Sequence, residues 1–208
     1  MAIDEVLRQT LGLGRGRGQV RSHAVAKRQF ASAEEALRVF EERRDWLLDV
    51  NGWSRLSGLE NARFALYDAA GRRAYRPVAA VGDFVAIALP LAGWVRTDWV
   101  RLERIDAAGD RLALVLRPSH DPTRRPLAPQ LTAHFFAREA TNRLSLERRG
   151  PWLIARVEGR NECANTAAEC PNAAMALANR VLAEGGWGGP GLSPQRRQWE
   201  RFTRGLVG

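Results

Sequence analysis

Lysine is nearly missing from this chain. Lys27 is the only one, so arginine supplies every other basic residue of the 32, set against 23 acids for a net charge of +9. A Walker-type phosphate loop needs lysine followed by Ser or Thr, and Lys27 is followed by Arg28, which excludes that nucleotide-binding class. The arginines run along nearly the whole chain and interleave with the acids rather than forming a block. That spread argues against a nucleic-acid partner and fits the bias of a GC-rich coding sequence. Cysteine is as scarce: on one helix Cys163 and Cys170 would sit about 10 Å apart, beyond disulfide reach. The start, Met1 to Glu5, is acidic and has no apolar run, so no secretory leader is predicted, and reduced thiols in a cytoplasmic protein are expected. No hydrophobic run is long enough for a membrane. The best, Phe84 to Val95, is too short for a core about 30 Å thick and contains Pro90. The three histidines, His23, His120 and His134, lack metal-ligand spacing, and no Gly-x-Ser-x-Gly elbow occurs. No metal and no cofactor is implied.

What is present is an ordinary globular composition, 45% hydrophobic and 26% charged, over a 208-residue length that suits one domain with a real core. The most informative stretch runs from His134 to Asn165. Leu144 and Leu146 alternate with polar residues on one arm, Leu153, Ala155 and Val157 on the next, and Arg149-Gly150-Pro151 joins the arms. Period-2 alternation on both sides of a turn predicts a hairpin with one buried face. The polar cluster Gly159-Arg160-Asn161-Glu162 then closes the second strand.

The remaining elements follow from the same signals. Gly12 to Gly18 is a glycine-rich link after a short helical segment at 3–11, and a mobile terminus explains its two arginines without an RNA-binding role. Gln19 to Phe30 is a first strand. Ser32-Ala33-Glu34-Glu35 is a capping box, and the helix behind it should bury Leu37, Phe40 and Leu47, with Val39, Trp46 and Val50 beside them. Trp53 to Gly58 is a short helical turn or loop. Strands are expected from near Arg63, Phe84, Trp99, Leu112, Asn142 and Trp152. Phe84 to Leu89 is apolar on both faces and should therefore lie centrally in the sheet. Residues 118 to 133 hold four prolines and no periodicity, giving a long loop that is either lid or strap. Thr166 and Glu169 make a second capping box, for a helix at 167–184. Ser193-Pro194 starts a last helix carrying Trp199 and Phe202.

Few residues carry a chemical signature. Gly186 to Gly191 spells a dinucleotide fingerprint, but it follows a helix rather than a strand and is read as an inter-helix link. His120-Asp121 could form an acid–base pair. Trp94, Trp99, Phe135 and Phe136 either line an apolar pocket or fill a core. Arg160, Asn161, Glu162 and Asn165 either bind something or satisfy loose backbone groups at a strand end, with Arg160 paired to Glu162 on a shared strand face.

The element order from strand through helix, helical turn, six further strands and a long late helix resembles the START/Bet v 1-like superfamily, the helix-grip fold. The block His134-Phe135-Phe136 … Gly159-Arg160-Asn161-Glu162 … Asn165 is also similar to a group of bacterial proteins of no established function. The resemblance implies an α+β fold in which a curved antiparallel sheet of about seven strands grips a long helix near the C-terminus. It gives an extension at 1–18, the helix-grip domain at 19–185, and at 186–208 a glycine-rich link with an extra C-terminal helix, which departs from the family. It further implies a cavity between sheet and helix for a small apolar or amphipathic molecule, contacted by Arg160, Asn161, Trp99, Phe135 and Phe136, with Arg160 or a nearby strand arginine on a ligand carboxylate or hydroxyl. A polyketide-cyclase-like enzyme would use the same cavity, with His134 and Glu162 as first candidates for acid–base groups. Nucleic-acid binding through the basic surface is a second alternative.

Overall fold

The computed structural model describes residues 20–58, 62–91, 94–124, 131–165, 178–180, 183 and 194–208. The second capping box, Cys170 and the link at 186–191 lie outside them. Strand β1 (Val20–Gln29) leads into helix α1 (Ala33–Leu48), whose start is closed reciprocally. Ser32 Oγ accepts from the Glu35 amide at 3.0 Å, and Glu35 Oε2 accepts from the Ala31 amide at 3.1 Å. The helix buries Ala36, Phe40 and Leu47 rather than Leu37. Leu37 and Trp46 stay largely exposed, Trp46 with the Arg43 guanidinium 3.6 Å above its ring. The small Ala36 lets the helix approach the sheet closely, and that turns Leu37 outward. A 3₁₀ turn (Val50–Gly52) and helix α2 (Trp53–Ser57) follow.

Six more strands complete one antiparallel sheet: β2 (Arg63–Tyr67), β3 (Phe84–Leu91), β4 (Trp94–Ala108), β5 (Arg111–Pro118), β6 (Thr141–Arg149) and β7 (Trp152–Arg160). Their spatial order is β1-β7-β6-β5-β4-β3-β2, with β1 and β2 at the edges. Two tight turns rest on glycines in the left-handed region, Gly109 (φ 49°) between β4 and β5 and Gly150 (φ 57°) between β6 and β7, where any side chain adds strain. The β2 edge is closed by side chains: Asn51 Oδ1 accepts from the Leu66 amide at 3.1 Å, and Ser54 Oγ accepts from the Phe64 amide at 3.2 Å.

Helix α3 (Pro194–Val207) occupies the curved sheet's inner face, against β1, β7 and α2. Trp199, Phe202, Leu206 and Val207 join one core with Phe40, Leu47, Trp53, Phe64 and the inward residues of β2 to β7. Phe202 is fully buried, edge-on to Trp53 (5.5 Å) and Trp199 (5.6 Å). The fold is therefore the expected α+β class, a seven-stranded curved antiparallel sheet holding a C-terminal helix. The helix holding that place among the described residues is the last one. Of the segment expected at 167–184, residues 178–180 and 183 are described. They are helical, and Ala183 packs against Phe135, Phe136 and Ala140.

Strand β3 lies next to the edge, not centrally. Its second apolar face is covered differently: Phe84 and Ala86 join Trp99 on the outer side of the sheet, with Ala65, Tyr67 and Ala133. The Trp99 amide donates to the Ala133 carbonyl at 2.8 Å, and the Ser119 amide to the Trp99 carbonyl at 2.9 Å. The described parts of the 118–133 connection thus form a strap over this corner.

Candidate functional site

The register divides the sheet residues into an inner and an outer set. On β7, Leu153, Ala155, Val157 and Gly159 face inward, while Ile154, Arg156, Glu158 and Arg160 face outward. Arg160 is the last strand residue and is exposed. Asn161 then turns the chain with φ 53°, a left-handed conformation that asparagine tolerates better than most residues. Its side-chain amide donates to the Glu139 carbonyl at 3.3 Å. This kink lifts Glu162 off the strand and folds it back inward. Its carboxylate covers the Cα of Gly159, where a Cβ would collide with it. Arg160 and Glu162 therefore occupy opposite faces, and the shared-face pair expected from strand period does not form.

Beyond Glu162 the chain runs antiparallel to 135–137, with Phe136 bridged to Ala164, and the two segments form a polar knot. The Asn165 amide group donates to the carbonyls of Thr132 (3.2 Å) and His134 (3.1 Å), and its backbone amide to the Phe135 carbonyl (2.8 Å). Asn179 Nδ2 donates to the Asn165 carbonyl at 2.6 Å. His134 is buried, stacked on Phe135 at 4.5 Å, and its Nδ1 accepts the Phe136 amide at 2.9 Å. That bond fixes the Nε2–H tautomer and commits the one lone pair a general base would use. Loop backbone that would otherwise be buried and unpaired is satisfied here by two asparagines and a histidine.

His120 and Asp121 are not a working pair. The His120 ring lies edge-on to Phe84 at 5.4 Å, and burial together with the nearby Arg101 charge lowers its pKa, against the pull of Asp121. Asp121 accepts from the Thr123 amide and hydroxyl (3.0 and 2.6 Å) and pairs with Arg124 at 3.2 Å. Trp99 belongs to the outer corner, and Phe135 and Phe136 to the knot, so these aromatics form two separate clusters.

Sequence reasoning missed the polar groups of the inner face. Asn142 stands directly across from Gly159 in the β6–β7 register, which puts it beside the Glu162 carboxylate. It shares its face with Leu144 and Leu146, yet its Oδ1 is buried without a hydrogen-bond partner in the protein. Asp98, on the same face of β4 as Val100, is fully buried. From α3, the Trp199 Nε1–H is likewise buried without a protein acceptor. The signal was present: Asn142 and Asp98 are polar residues at inward positions of alternating strands. Among the described residues no three His, Cys, Asp or Glu side chains gather as a metal site, and no helix is long and apolar enough to cross a membrane.

No protein-family model matches the chain, and no curated protein matches it. Among solved structures it is similar to a hypothetical protein from Helicobacter pylori, with a TM-score of 0.54 and 10% identity over 92% of this chain and 87% of that one. It is more loosely similar to ginseng major latex-like protein 151 from Panax ginseng, with a TM-score of 0.39 and 11% identity over 80% of this chain and 95% of that one. The Helicobacter protein shares the fold, and a shared fold leaves function open.

Proposed function

We propose that the chain is a START/Bet v 1-like protein whose inner face, between the sheet and α3, binds a small amphipathic molecule. One observation carries the reading: Asn142 Oδ1, an acceptor, and Trp199 Nε1–H, a donor, both face the interior without a protein partner. Native interiors rarely leave such groups unpaired, and each costs about 1–3 kcal/mol when they do. A ligand with a hydroxyl or amide at one end would satisfy them, while its apolar body lies along the aliphatic inner face. The polar end then meets Asn142 and Trp199 rather than Arg160, whose side chain is exposed on the other face of β7.

The test uses Asn142→Leu and Trp199→Phe. Asn142→Leu removes an unpaired polar atom and keeps the branched shape, so it should match or exceed the parent in melting temperature, whereas Trp199→Phe removes the indole N–H with part of a core ring and should remain folded at a modest cost. Each should also lose uptake of an amphipathic fluorophore such as 1-anilinonaphthalene-8-sulfonate, titrated into the folded protein. Unchanged uptake by both variants would overturn the assignment.

A further inference from the structure

The outer face of the sheet gathers arginines that the sequence keeps far apart. The register sets Arg160 of β7 opposite Thr141 of β6, and Arg117 of β5 opposite Arg101 of β4, along one end of this face. In the next row Glu158 lies opposite Arg143, and Val115 opposite Arg104. Further along come Arg156 and, on β5, Arg111. Apart from Glu158, the acids present are already shared. Asp106 lies between Arg104 (3.0 Å) and Arg143 (3.5 Å), Glu147 between Arg149 (2.8 Å) and Arg156 (3.0 Å), and Glu103 holds Arg117 at 2.6 Å. Arg101, Arg111 and Arg160 are exposed and have no carboxylate within ion-pair distance among the described residues. A surplus of positive charge therefore remains.

Two features indicate what this surface is for. Arg101 directly opposes Arg117 across β4 and β5, a like-charge pairing that works against the sheet. Of the apolar residues of this face, Ala113 and Ile154 are buried, Val115 is half-buried, and Trp152, at the far end of β7, is exposed, an aromatic ring of the kind on which unpaired bases stack. Guanidinium groups also fit phosphate oxygens bidentately, which ammonium groups do not. We propose that the outer face of β4 to β7 binds the phosphodiester backbone of single-stranded nucleic acid, with Arg101 and Arg160 as its uncommitted cations. The inference is independent of any ligand on the inner face.

The experiment is fluorescence anisotropy with a labelled single-stranded oligonucleotide of mixed sequence, titrated from about 50 to 200 mM salt. The wild-type chain should bind at low salt, with log K falling linearly against log salt. Arg101→Gln with Arg160→Gln should weaken binding about tenfold or more and flatten the slope by roughly one for each arginine removed. Its melting temperature should not fall, because the like-charge pair is relieved. Arg38→Gln with Arg204→Gln removes the same charge from exposed sites on α1 and α3 and should leave binding near wild type. Absence of binding at 50 mM salt would overturn the proposal, as would equal losses in both double variants. So would binding to phosphatidylserine vesicles in place of the oligonucleotide.

Discussion

Asn165 is a clamp. Its side-chain amide holds two buried carbonyls, so Asn165→Ala leaves both unpaired and should cost about 2–4 kcal/mol in a denaturant titration. A loss below about 0.5 kcal/mol would show that the knot does not organise the loop. The contact of Glu162 with Gly159 makes a second prediction. Gly159→Ala should destabilise, and Glu162→Ala in the same chain should recover part of the loss, so a double-mutant cycle gives a coupling of about 0.5–3 kcal/mol. Strict additivity would place the carboxylate elsewhere. His120 offers a test by pH. Its folded pKa lies below the ordinary 6.5, so the folded state disfavours its protonation. Its contribution is intact above about pH 6.5 and is lost as the pH falls through the lowered value. Arg101→Gln should move the His120 titration upward by NMR, and no movement would separate the two groups. At this scale the cluster's place in the chain was legible in the sequence, and the face of one residue was not. Arg160, Asn161, Glu162 and Asn165 all sit at the strand end, but period-2 counting fails at Asn161, where positive φ reverses the direction of everything after it.

Among the elements, α3 decides whether the sheet has an interior. Phe202 makes ring contacts with both α2 and α3, so Phe202→Ala should cost about 3–5 kcal/mol. A cost under about 1 kcal/mol would mean that the helix does not seat as described. This helix was legible in Pro194, Trp199 and Phe202, and the last hairpin in Gly150. What the sequence concealed was which helix meets the sheet, because an amphipathic stripe specifies a buried face without naming its partner. Strand β3 shows the same limit. Its two apolar faces were legible, but one is buried by the strap at Ala133 rather than by a central place in the sheet.

Over the whole molecule, the two faces of one sheet divide the chemistry. The inner face is aliphatic with a few buried polar groups, and the outer face carries exposed arginine. Neither pattern can be read along the chain, because each face collects alternate residues from strands that lie tens of positions apart. Asn142 and Gly159 are neighbours only through register, and so are Arg101 and Arg117. Whether the inner face holds a small molecule is decided by native mass spectrometry of protein purified straight from expressing cells. The expected result is a folded mass above that of the chain, an excess that disappears when the same sample is sprayed under denaturing conditions, and a smaller excess for Asn142→Leu. Identical native and denatured masses, in protein that also takes up no amphipathic fluorophore, would contradict it.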